Sequence, residues 1–88
     1  MAHHTQTKEV VHRLSRAIGH LEAVKKMVEE EQDCCKVLVQ LAAVRAALGS
    51  AGRVLLLDHM SHCVVEAVEQ GDTTALEELE AALERFLR

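Results

Sequence analysis

The chain has 88 residues with no Pro, Trp or Tyr and a single Phe, which describes one small helical domain and excludes a sheet-rich fold. Three cysteines, two of them adjacent at Cys34 and Cys35, exclude a disulfide framework and suit reduced thiols in a cytoplasmic protein. The net charge of −4 excludes bulk attraction to nucleic acid. Its distribution nevertheless leaves two readings open, a local basic DNA contact or an ordinary solvated surface.

The unevenness is visible residue by residue. Lys8, Arg13, Arg16, Lys25 and Lys26 outweigh Glu9 and Glu22 in the first 26 residues, a balance of +3. Seven acids outweigh Arg85 and Arg88 from position 66 onward, a balance of −5. The opening "MAHHTQTKEVV" lacks the apolar stretch of a signal peptide, and the apolar runs read as too short to span a bilayer. The expectation is a single domain over 1–88, with 1–6 as an N-terminal tail and no membrane association.

Three helices are predicted. The first runs from Thr7 to about Glu30, with Val11, Leu14, Ile18, Leu21, Val24 and Val28 at spacings of three and four. The acidic "EEEQD" interrupts it, and Asp33 is the expected N-cap of the next. The second runs from Cys34 to Val68, carrying Val37, Leu38, Leu41, Val44, Leu48, Leu55, Met60 and Val64, and Gly71 stops it. The third runs from Thr74 to about Leu87, with Thr74 and Glu77 in capping-box spacing.

The second helix is the unusual one. At about 1.5 Å per residue its 35 residues extend roughly 50 Å, more than two shorter helices cover in a monomer. Its middle, "LAAVRAALGSAG", consists of small residues that let helices approach closely, so it reads as a crossing point with a second copy. The alternative is a break at Gly49 and Gly52, which the continuing apolar spacing disfavours.

"LLLDHMSHC", residues 55–63, sets His59 and Cys63 four residues apart on one helical face, half of a metal site. Cys34 lies 25 residues before His59, about 37 Å along a helix, so the three cannot meet in one chain. An antiparallel pair of these helices solves the problem. If Cys34 meets Cys63, the register centres on positions 48–49, inside the small-residue stretch. A symmetric dimer then holds two sites, each of Cys34 from one chain and His59 with Cys63 from the other. Two thiolates and an imidazole suit three-coordinate Cu(I). Zn(II) or Ni(II) would need a further donor, for which His3, His4, His20 or Cys35 are candidates. The competing reading makes the cysteines small buried hydrophobes and His59 a satisfied interfacial histidine.

These residues resemble the CsoR/RcnR-type metal-sensing transcriptional repressors of bacteria. The resemblance covers roughly residues 8–83 and rests on "RLSRAIGHLEAVKKMVEEEQDC", "VLVQLAAVRAAL" and "HMSHC". It implies an all-α fold: a three-helix protomer with a long second helix, forming an antiparallel four-helix-bundle dimer that pairs into a tetramer. It implies Cu(I) at Cys34, His59 and Cys63, with Glu78 of the third helix hydrogen-bonding around the site. It also implies operator DNA bound through Arg13 and Arg53, with Arg16 and Lys8 as further candidates, and release of an efflux or detoxification operon when metal binds. The chain departs from the copper sensors at Asp33, where a tyrosine is common, and at Ser50, where a basic residue is expected. His3 and His4 are similar to the nickel/cobalt branch, which however has a histidine where Cys63 stands. His59 argues against the persulfide-sensing branch, and Ala2 and Cys63 against the formaldehyde-sensing one.

The expected function is therefore a repressor that Cu(I) removes from DNA, with Ni(II) or Zn(II) as the alternative effector. A thiol or persulfide sensor using Cys34 and Cys63 is the second class of reading. An enzyme is excluded by the lack of a nucleophile with its base, a phosphate-binding loop or an open catalytic zinc motif. His12 and His62 read as surface residues, and Cys35 as a bystander thiol about 100° around the helix from Cys34.

Overall fold

The computed structural model describes residues 6–87, and every described element is helical. Its order is α1 (Thr7–Glu29), α2 (Cys34–His59), a π-helical turn (Met60–Val64), α3 (Val65–Gln70) and α4 (Thr73–Phe86). Helix runs through Gly49 and Gly52, so neither breaks it. The region expected as a uniform second helix is instead interrupted by the π turn. The chain divides near position 56 into two compact units.

The first unit is the hairpin of α1 and α2. Val10, Ala17 and Val24, buried at intervals of seven, face the hairpin's interior, as do Val44 and Ala51 on α2. Two cross-helix hydrogen bonds fix an antiparallel register: Arg13 Nη1 donates to Ser50 Oγ at 2.8 Å, and His20 Nε2 lies 2.8 Å from Gln40 Oε1. The expected apolar stripe is displaced from this core. Of its members on α1 only Val24 is buried, whereas Val11, Leu14, Ile18, Leu21 and Val28 are exposed. Leu38, Leu41, Leu48 and Leu55 are likewise exposed on α2. The residue one position earlier, Val10 rather than Val11, turns inward, because the hairpin needs only a narrow line of small side chains.

The α1–α2 connection is a Schellman closure. Gln32 N–H donates to Met27 O and Glu31 N–H to Val28 O, both at 3.0 Å, with Glu31 in the left-handed region at φ 54°. Asp33 caps α2 as expected, its Oδ2 accepting from Lys36 N–H at 3.2 Å.

The second unit covers residues 57–87 among those described. Here α4 packs on α3, with Ala67 buried and Ala75, Leu76, Leu79 and Leu83 half-buried. Gly71 ends α3 at φ 68°, the left-handed conformation a glycine adopts without penalty. The cap of α4 differs from expectation. Asp72 Oδ1 accepts from Ala75 N–H at 3.1 Å and helix begins at Thr73, so Thr74 lies inside the first turn instead of capping it. The αL glycine brings Asp72, the first short polar side chain after it, to the capping position.

The apolar stretch is also longer than expected. The helical segment Cys34–Gln70 is long and apolar enough to cross a membrane by length and composition. The charges Lys36, Arg45, Arg53, Asp58, Glu66 and Glu69 are spread along it.

Candidate metal and DNA sites

His59 closes α2 and Cys63 lies within the π turn that follows. An α-helix completes a turn in 3.6 residues, so a four-residue step slightly overshoots it. A π turn closes its hydrogen bonds at i→i+5, so the same step falls short of a full turn. The two candidate ligands thus remain on one face, but the π turn sets their angle. Both are half-buried and each has an interaction partner in the chain.

Asp58, beside His59, is the feature that sequence reasoning missed. Its side chain is 1% exposed and its Oδ1 lies 3.5 Å from His62 Nε2. No buried side-chain N or O atom among the described residues lacks a hydrogen-bond partner. The signal was present, since Asp58 is a lone charge ending the run "LLLD", and burying a carboxylate demands partners. His62 is exposed as expected, but it turns back on Asp58 across the π turn.

Cys34, the first residue of α2, is exposed, as is Cys35, and none of the three cysteines is in a disulfide. Glu78 is exposed on α4. Among the described residues no three His, Cys, Asp or Glu side chains form a metal-binding group within the chain. The donors nonetheless fit a soft ion, with two thiols outside disulfides and an imidazole held on helix. His3 and His4 lie outside the described residues.

The basic candidates lie on the first unit. Arg13 is held on two sides, its Nε donating to Glu9 Oε1 at 2.8 Å and its Nη1 to Ser50 Oγ. Arg16 is one helical turn further along, exposed and with no ion pair or hydrogen bond among the described residues. Arg53 is exposed on α2, three residues beyond Ser50. Arg13 and Arg16, about 60° apart, share one side of α1. Lys8 does not: it falls about 80° around α1 from Arg16 and about 140° from Arg13. Between the helices Arg13, Arg16, Ala17, His20, Ala47 and Ser50 line a cavity of about 250 Å³.

Residues 6–85 match the family of metal-sensitive transcriptional repressors. The chain belongs to this family. It is 40% identical to the copper-sensing transcriptional repressor RicR of Mycobacterium tuberculosis, over 97% of this chain and 93% of that one. It is 36% identical to the copper-sensing repressor CsoR of Bacillus subtilis, over 97% and 88%. Its structure is similar to a crystal structure of CsoR with Cu(I) from Geobacillus thermodenitrificans, with a TM-score of 0.86 and 36% identity over 94% of this chain and 88% of that one. It is also similar to the nickel-responsive transcriptional regulator InrS, with a TM-score of 0.76 and 44% identity over 96% of each. As a member of this family the chain is a metal-sensing transcriptional repressor and not an enzyme, and the all-α expectation holds.

Proposed function

We propose that this repressor binds operator DNA in its metal-free form and is released by Cu(I) bound at Cys34 of one chain and His59 and Cys63 of a second. The observation that carries the intersubunit site is the split of its donors. Cys34 is exposed at the start of α2, His59 and Cys63 share a face at its end, and no complete ligand group forms within the chain among the described residues. A second copy also covers what the protomer leaves bare: Val11, Leu14, Ile18, Leu21 and Val28 on α1, and Leu38, Leu41, Leu48 and Leu55 on α2. An apolar face of that size is the mark of an interface. The resulting antiparallel four-helix-bundle dimer pairs into a tetramer and works in the cytoplasm as one domain.

In this reading two thiolates neutralise and hold a monovalent soft ion, and His59 completes a trigonal set without a fourth donor. Glu78 hydrogen-bonds around the site. Arg13, Arg16 and Arg53 contact operator phosphates, with Lys8 a more distant contributor. Derepression requires that metal bind the DNA-free arrangement more tightly than the DNA-bound one. The copper-sensing relatives support Cu(I). The likeness to a nickel-responsive regulator favours Ni(II) as the second reading, with His20 or another histidine as fourth donor; Zn(II) would need the same.

The test uses a duplex selected from random DNA by the metal-free protein, titrated in parallel with Cu(I), Ni(II), Zn(II) and a persulfide. Cu(I) is expected to release the duplex, and His59→Ala to abolish that release. Persulfide-driven release that survives His59→Ala would instead establish a thiol sensor. Mixing Cys34→Ala with Cys63→Ala chains tests the sharing: mixed dimers regain one complete site, whereas each variant alone has none. Failure of mixing to restore Cu(I) binding would eliminate the intersubunit site.

A further inference from the structure

The cavity between α1 and α2 has a chemistry of its own. Its lining holds two guanidinium groups, an imidazole and a hydroxyl, floored by Ala17 and Ala47, and no lining residue is acidic. We propose that this cavity is an oxyanion seat that takes a single tetrahedral phosphate group. Its volume, about 250 Å³, holds such a group together with several waters at about 30 Å³ each.

The donors are held ready before any ligand arrives. Arg13 spends Nε on Glu9 and one Nη1 proton on Ser50, both at 2.8 Å. Three of the five guanidinium protons therefore remain. Ser50 accepts from Arg13, so its own hydroxyl hydrogen is left to donate. His20 Nε2–H is spent on Gln40 Oε1 at 2.8 Å, which fixes its ring as a wall of the seat and leaves the donors to the two arginines and Ser50. Arg16 has no partner among the described residues, leaving its planar fork open for the bidentate geometry that phosphate favours. Small alanines beneath these groups keep the space open, where larger side chains would fill it.

Ser50 gains a role here. A basic residue at that position would add charge but lose the neutral hydroxyl that both orients Arg13 and donates. The phosphate has two possible sources, a nucleic-acid backbone or a free phosphate or sulfate ion. The first rests on the operator-binding reading above, and the second stands without it.

The experiment titrates inorganic phosphate into the metal-free full chain and follows backbone and side-chain NMR signals, with chloride at equal ionic strength as the control. Phosphate is expected to give saturable shifts at Arg13, Arg16, His20 and Ser50 that chloride does not reproduce. Arg16→Gln should weaken this binding at least about tenfold, the loss of its charge-assisted bidentate contact. Ser50→Ala should weaken it severalfold while leaving helicity unchanged by circular dichroism. Shifts that do not saturate, that chloride matches, or that Arg16→Gln leaves intact would overturn the seat. A second arm measures duplex binding in phosphate against chloride at equal ionic strength. Excess competition by phosphate assigns the seat to a backbone phosphate. Duplex binding that phosphate does not compete with assigns it to a free ion. Loss of all duplex binding with saturable phosphate shifts would overturn the operator-binding reading and leave the seat standing.

Discussion

Replacing Glu9 with Gln removes the carboxylate that grips Arg13, and its effect on DNA binding follows from the geometry. The Nε–Oε1 distance is 2.8 Å, and the two side chains are 38% and 47% exposed. An exposed i,i+4 pair of this kind contributes about 0.3–0.5 kcal/mol, so losing it barely alters stability. Its cost to DNA binding is of another kind. In the proposed operator contact, a carboxylate bonded to the phosphate-facing Arg13 stands roughly 6 Å from that phosphate, a repulsion of about 0.7 kcal/mol in water. Screening at 0.1 M salt, with a Debye length of about 10 Å, reduces this to roughly 0.4 kcal/mol. Glu9→Gln should therefore tighten duplex binding about twofold per contacting protomer, and about fourfold where two protomers touch the duplex. Fluorescence anisotropy at 50 and 200 mM salt reads this directly, with the larger gain at the lower salt. Arg13→Gln should do the reverse and lower the salt slope by about 0.9 for each phosphate no longer neutralised. Unchanged or weaker binding by Glu9→Gln at both salts, with helicity intact, would refute the placement of Arg13 at the phosphate backbone.

Glu31→Gly should stabilise the protein by about 1 kcal/mol, because Glu31 holds the left-handed φ of 54° that costs an L-residue about 1–2 kcal/mol; a thermal midpoint that fails to rise by a few degrees counts against it. Asp58→Ala should cost about 1–3 kcal/mol in urea denaturation, since it strips a partner from groups packed around a carboxylate that is 1% exposed; a variant as stable as the parent shows that Asp58 is structurally idle. Asp72→Ala should cost about 1 kcal/mol and fray the start of α4 in hydrogen exchange, whereas Thr74→Ala, which removes no cap, should do neither.

The sequence displays its helices through periodicity and its ends through chemistry. Asp33 and Gly71 act as their residue types dictate, because a short carboxylate at a helix start and a glycine past a helix end are local solutions to local hydrogen-bond needs. Thr74 misleads because Asp72 offers the same chemistry two residues earlier, and only the conformation of Gly71 decides between them. The π turn leaves no trace in "MSHCV", since one extra residue per turn alters no composition. The stripe Val11, Leu14, Ile18 and Leu21 is legible as apolar, but periodicity does not say what it faces, and the hairpin core takes Val10 and Ala17 instead. Half of the proposed metal site is legible for the same local reason as the caps, since His59 and Cys63 lie four residues apart in one continuous helical stretch. The pairing of Arg13 with Ser50 spans 37 residues and belongs to tertiary packing alone.

The three faces of α1 suggest how a distant ion reaches DNA. Val10, Ala17 and Val24 lock the helix onto α2. On one flank, within about 100° of that line, run the exposed Val11, Leu14, Ile18 and Leu21. On the other flank, about 60–120° around, stand Arg13 and Arg16. A rigid helix with an apolar flank and a basic flank cannot alter its packing on a second copy without re-aiming its arginines. In the proposed site, Cys34 belongs to this hairpin and the other two ligands to the second copy, so the ion acts on that packing. A hundredfold loss of DNA affinity requires about 2.7 kcal/mol of coupling, within the usual range for such linkage. That is a small fraction of what an interface of nine exposed aliphatic side chains contributes at about 1.5–3 kcal/mol for each one fully buried. In the proposed dimer the metal therefore has only to bias this packing and has no need to break it.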